Sequence, residues 1–284
     1  MPFFAIGILL VSALLHTSWN LLIKQSDDKQ IVTWWMAVFG GVFALAALFF
    51  TGLPPRDLWL FVFFSVCAEV IYFLALSYAY QDNDFSLVYP VARGTAPVFL
   101  ILWSFFFLRE TPTTGGWFGL TLIIAGLLII GANTLMQSRV TSLHFRGVAA
   151  ALFIALLISI YTFIDGTAVK RGDSMPYVMS VFMLVPFGLS PFVLRRYPWA
   201  TVRHALMGQP VRILAAGVLG VLAYLMAVFA YSIAPLSYAG AVREVSVVFG
   251  ALAGWWFLNE RLGAVRVLGA AVIFAGILVI AKFG

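Results

Sequence analysis

Charge is what this 284-residue chain has least of: Asp, Glu, Lys and Arg make up 10%, against about 25% in an ordinary soluble domain. With 63% hydrophobic residues, so much apolar surface cannot fold into a core that faces water, and the chain reads as one whose solvent is a lipid bilayer. Cysteine is nearly absent. The single Cys67 sits inside an apolar run, which excludes an intrachain disulfide. Also missing are the short motifs of hydrolytic and phosphoryl chemistry: there is no HExxH, no paired-aspartate metal motif, no GxSxG and no P-loop. The sequence therefore offers no basis for an intramembrane enzyme, and no cofactor or metal is expected. The net charge is +6, yet the basic residues fall mostly in short loops, which is how membrane topology is encoded. Nucleic acid is not expected as a partner. Residues 3–15 are an apolar run of signal-peptide length, but they lack a basic leader and a small-x-small cleavage site. They read as a retained first span.

What is present is a set of long apolar segments. A spanning helix needs about 20 mainly apolar residues. Ten segments qualify: 3–23, 31–50, 58–80, 85–108, 115–135, 147–169, 176–194, 211–233, 236–258 and 264–282. Only 136–146 looks like a linker between halves, and 195–210 is the longest connection within one. The second half repeats the first. At a shift of 150, Arg93 falls on Arg243, Val98 on Val248, Phe99 on Phe249, Leu102 on Leu252 and Glu110 on Glu260. Gly119 then meets Gly269 and Ala125-Gly126 meets Ala275-Gly276, with no gap.

The expected fold is therefore an all-α membrane protein of ten transmembrane helices, arranged as two five-helix repeats over 1–138 and 139–284. Five is odd, so the second unit enters the membrane from the opposite face and the repeat is inverted. Ten is even, so both termini share a face. Ten loop Lys and Arg then lie on one side and five on the other. The positive-inside rule puts the richer side in the cytoplasm and both termini outside.

Each half has an apolar fourth helix ending in Glu (Leu108-Arg109-Glu110; Leu258-Asn259-Glu260-Arg261), a Gly about nine residues on, and an Ala-Gly pair in its fifth helix. With the opening Leu15-His16-Thr17-Ser18-Trp19-Asn20 and the run Tyr89-Pro90-Val91-Ala92-Arg93-Gly94, the whole chain resembles the EamA-type transporters of the drug/metabolite transporter superfamily. The resemblance implies a multi-pass protein of the inner membrane that exports a small molecule. Relatives export amino acids, metabolites, drugs and metallophores. It also implies that both termini are cytoplasmic, opposite to the loop charges.

Ionisable side chains deep in a bilayer usually face a cavity or a partner. With a rise of about 1.5 Å per residue, Glu69 lies about 16 Å from one face, Arg93 about 12 Å from the same face and Arg243 about 10 Å from the other. All three thus fall in the central layer, and Glu244 follows directly. Arg93 and Arg243 are candidate holders of a carboxylate or phosphonate through charge-assisted hydrogen bonds. Glu69 or Glu244 would receive an ammonium group, and Glu69 is the candidate for a coupling proton. The alternative is a permanent internal pair, Glu69–Arg93 or Arg243–Glu244, that fixes helix packing.

In the first span His16, Trp19 and Asn20 share one helical face. Tyr72, near Glu69, Tyr89, one turn before Arg93, and Tyr224, which answers Tyr72 in the other half, complete the candidate pocket. Asp165 is read as a cap or as reaching water. Pro90 and Pro97 bracket Arg93, so the fourth span is expected to bend more than the ninth. Gly250 and Gly254 form a GxxxG pattern read mainly as close packing within the bundle, with dimerisation as the other option, so the chain is taken as a monomer or homodimer. Glu110 and Glu260 are read as bonding the next helix's N-terminal amides, or as gate anchors. The function expected is a secondary carrier for a small zwitterionic or anionic, amino-acid-like metabolite. A channel, or a flippase for a lipid-linked polar head group, is the alternative.

Overall fold

The computed structural model describes residues 1–24, 26, 28–82, 85–137, 145–258 and 263–284, without the side chains at 24, 77–91, 133–146, 254 and 257–262. Glu260, and the side chains of Tyr89, Pro90 and Gly254, lie outside the described residues. Lipid offers backbone groups no hydrogen bonds, so an apolar chain of this kind must satisfy them within helices. The helices are α1 (Phe3–Lys24), α2 (Lys29–Thr51), α3 (Trp59–Asp82), α4 (Phe85–Leu108), α5 (Thr114–Gln137), α6 (Phe145–Val169), α7 (Ser174–Arg196), α8 (Trp199–Gly208), α9 (Pro210–Ile233), α10 (Leu236–Arg243), α11 (Ser246–Leu258) and α12 (Ala264–Phe283). Among the described residues there is no strand, and nine helical segments are long and apolar enough to cross a membrane, with Ala92–Leu108 a shorter apolar stretch.

One expectation fails. The segment 236–258 is not one helix but two, α10 and α11. Between them the backbone tightens to i→i−3 bonds: Glu244 N donates to Ala241 O at 3.1 Å, Val245 N to Val242 O at 3.1 Å and Val247 N to Glu244 O at 3.0 Å. α4, in which Pro90 and Pro97 bracket Arg93, is continuous from Phe85 to Leu108. The break falls where adjacent Arg243 and Glu244 must reach different helices. The connection 195–210 also holds a helix of its own, α8, pinned to α2 by the Trp35 indole N–H on the Val202 carbonyl at 2.8 Å.

Helices of one half pack on helices of the other: α1 on α9, α3 on α6, α2 on α7, and α5 on α12. The α5–α12 contact is made by the repeated glycines. A Cβ added to Gly119 would lie 2.9 Å from the Gly276 carbonyl oxygen, and one added to Gly126 would lie 2.6 Å from that of Gly269. Each glycine touches the counterpart of the other, Gly119 on Gly276 and Gly126 on Gly269, as two antiparallel copies crossing at their midpoint require. By contrast, a Cβ on Gly250 would meet nothing within 4 Å among the described residues, so none of them takes the packing role expected of that glycine.

Glu110 bonds a helix start, but not the next one in sequence. α4 ends with Arg109 in the left-handed region at φ 54, and Glu110 N donates back six positions to Ser104 O at 3.1 Å. The Glu110 carboxylate then reaches into the second half. It accepts from the amides of Leu236 (2.8 Å) and Ser237 (3.0 Å), the Ser237 hydroxyl (2.9 Å) and Lys170 Nζ (2.8 Å). Burial pushes its carboxyl up, but the bond from Lys170 and the two amide donors outweigh this and hold it below the usual carboxylate range.

Two outcomes are expected. Gly276→Leu should destabilise the protein by about 1–3 kcal/mol through overpacking, seen as a lower melting temperature in detergent, while Gly7→Leu, where a Cβ meets nothing within 4 Å, should not. Because folding lowers the Glu110 pKa, its stabilisation is present above the unfolded carboxylate value and is lost as pH falls through the folded one. Melting temperature should therefore fall more steeply in acid for the wild type than for Glu110→Gln.

Candidate functional site

The helices enclose a cavity of about 710 Å³, counted as all atom-free space up to and including its mouth. α1 contributes His16 and Trp19 from one face, α3 contributes Glu69 and Tyr72, α4 Arg93, α6 Tyr161, α9 Tyr224, and the broken end of α10 Arg243. Both arginines are nearly closed off from solvent, at 6% and 7% exposed, so each must be satisfied within the protein.

They are satisfied differently. Arg93 Nη1 faces both oxygens of Glu244, at 3.3 and 3.4 Å, and Nη2 lies 2.7 Å from His16 Nε2. A guanidinium has no acceptor, so His16 Nε2 accepts and the ring carries its proton on Nδ1. The imidazole is held edge-on against Trp19, with centroids 4.9 Å apart. The buried ion pair thus joins the halves, from α4 to the α10–α11 break, rather than lying within either one. Arg243 instead donates Nη1 to the Tyr231 hydroxyl at 3.1 Å and lies over the Tyr224 ring, 5.1 Å from its centroid. Among the described residues no carboxylate oxygen comes within 4.0 Å of its nitrogens.

Tyr224 links this cation to two carboxyls. Its hydroxyl donates to Asp165 Oδ2, while Tyr177 donates to Asp165 Oδ1 at 2.7 Å. The Glu69 carboxyl lies beside the same tyrosine hydroxyl. Asp165 is fully buried and does not reach water as expected. An aspartate in an apolar span was itself the signal for a buried role.

The other sequence candidates fall as follows. Tyr72 lines the cavity and sits edge-on to Tyr161 at 5.8 Å. Asn20 bonds the His16 carbonyl of its own helix at 2.8 Å and is not part of the lining. Glu244 is buried behind Arg93 rather than in the wall. Tyr161, Tyr231 and Phe182 were not singled out, because apolar spans rich in aromatics give no sign of which ring turns inward. Among the described residues no three His, Cys, Asp or Glu side chains gather as metal ligands.

No curated protein matches the chain. A solved structure, titled only as the crystal structure of a protein, matches with a TM-score of 0.74 at 17% identity, covering 98% of this chain and 96% of that one. That likeness concerns the fold alone. The EamA-like transporter family matches residues 3–132 and again 145–282. Two copies of one transporter module therefore account for nearly the whole of this helical membrane protein, and the chain belongs to the EamA-like transporter family.

Proposed function

We propose that this chain is a secondary active carrier of the inner membrane. It would export a small zwitterionic or anionic, amino-acid-like metabolite by alternating access between two inverted five-helix repeats, 1–138 and 139–284, with ten crossings. The exchange of packing partners between the halves supports the inversion: α1 on α9 mirrors α3 on α6. The N-terminal ammonium meets the Gly284 carbonyl at 2.9 Å, in keeping with an even number of crossings.

One observation carries the substrate reading. The cavity holds two guanidiniums, but Arg93 is already neutralised by Glu244. Arg243 is the cation without a carboxylate within 4.0 Å among the described residues. Its observed partners are a phenol hydroxyl and a ring rather than a carboxylate, so its charge is left for a substrate carboxylate or phosphonate, with charge-assisted strength. Glu69 lies in the same wall and would take an ammonium group, or the coupling proton when that group is absent. Trp19, Tyr72 and Tyr161 supply apolar walls. His16 positions Arg93; Arg93 and Glu244 hold the two halves in register behind the site.

The test is counterflow in proteoliposomes, using metabolites found by comparing medium and cytoplasm of cells with and without the protein. Arg243→Gln should abolish saturable exchange while leaving the melting temperature near that of the wild type; normal exchange in this variant would sink the proposal. Arg93→Gln should instead destabilise the fold, by about 3–5 kcal/mol, because it strands a buried carboxylate. Glu69→Gln should retain exchange but lose its response to a pH gradient.

A further inference from the structure

The cavity is not centred between the two faces of the bundle. On α2 it is lined by Met36 and Ala37, nearer Lys29 than Thr51; on α1 by His16 and Trp19, nearer Lys24 than Phe3; on α9 by Gly217 and Gly220, nearer Pro210 than Ile233. Tyr161 on α6 and Tyr224 on α9 line it nearer the other ends of their helices, so it runs from the middle of the bundle towards the face that carries the α1–α2 connection and α8. Towards the opposite face the bundle is closed. Tyr177, Tyr231 and Leu236 are fully buried there, and the Tyr224–Asp165 bond crosses beneath the cavity floor.

The closed face carries a cluster of polar ties between the halves. The α4–α5 connection belongs to the first half, yet its polar groups bind the second. Glu110 holds Lys170 at the end of α6 and both amides at the start of α10. Thr113 N donates to the Tyr238 hydroxyl on α10 at 3.0 Å, and Thr113 Oγ1 donates to the Phe283 carbonyl at the end of α12. These bonds differ in kind from the α5–α12 glycine contact, which is close backbone packing that cannot part without losing its van der Waals contact. The Glu110 cluster is polar and partly wetted, with the Lys170 side chain 33% exposed. Water can replace its bonds when they break.

We propose that Glu110 is the latch that keeps this second face shut, and that releasing its bonds to Lys170 and to the start of α10 is the step that turns the cavity towards that face. The inference rests on the carrier reading above and adds how access to the site is controlled. α10 is the element to move: it is short, it is joined to α11 through the broken turn at Glu244-Val245, and it carries Arg243 at its far end. Opening the latch would therefore shift the substrate's proposed anchor together with the gate. Arg243 is the last residue of the eight-residue α10, and the amides that Glu110 binds are its first, which couples site to latch without any intermediate element.

The experiment needs no substrate, so its outcome is separable from that of counterflow. In a Cys67→Ser background, cysteine is placed either at Leu236→Cys, buried next to the latch, or at Gly220→Cys, in the cavity wall. The rate of labelling by a bulky water-soluble thiol reagent is then measured in detergent, with and without Glu110→Gln. The expected result is alternation. Labelling at position 236 rises about tenfold or more, the factor that a charge-assisted hydrogen bond commands, while labelling at position 220 falls. If Glu110→Gln does not give folded protein, Lys170→Met, which leaves the amide bonds intact, should give the same pattern at smaller amplitude. Unchanged labelling at position 236, or a rise at both positions from general loosening, overturns the proposal.

Discussion

The structure depends on one buried ion pair. Lipid cannot solvate a guanidinium or a carboxylate, and a chain with only 11 acidic residues has few partners to offer. Arg93 and Glu244 meet from opposite halves, 151 residues apart. Much else follows from that meeting. The helix at 236–258 must break to turn Glu244 towards α4 while Arg243 turns towards α9. His16 is fixed in one tautomer because the guanidinium beside it can only donate. The second arginine, deprived of the carboxylate next to it in sequence, is left among tyrosine hydroxyls and rings.

The two kinds of contact between halves divide the work. Along α5 and α12, glycines bring backbones together so closely that a methyl group would not fit. That contact is dense, apolar and indifferent to charge. Around Glu110 the contact is a small set of directed polar bonds at a wetted surface. The halves are thus joined in two different ways, by close apolar packing along one flank and by directed polar bonds at one end.

Much was legible beforehand. The spacing of apolar segments announced a helical membrane protein. The 150-residue repeat announced two modules, as the family match over both stretches bears out. Glu69, Arg93 and Arg243 stood out because charges are rare inside spans, and they do line one cavity. The pairing was not legible. Glu244 beside Arg243 and Glu69 near Arg93 in depth were equally good partners on paper, since depth along a helix says nothing about its rotation. The break between α10 and α11 was not legible for a similar reason: it falls in a segment without proline, at two adjacent buried charges.

Taken alone, the sequence determined what local composition can determine: which stretches are apolar enough for lipid, that they come as two related sets, and which few residues are too polar to face hydrocarbon. The tertiary structure alone decided who meets whom. Whether Arg93 or Arg243 is neutralised, whether Glu110 caps its own neighbour or a helix 126 residues away, and which tyrosines turn inward all depend on helix rotation and on cross-half packing. Those are set by the sum of many side-chain contacts over long sequence separations, and no window along the chain contains them.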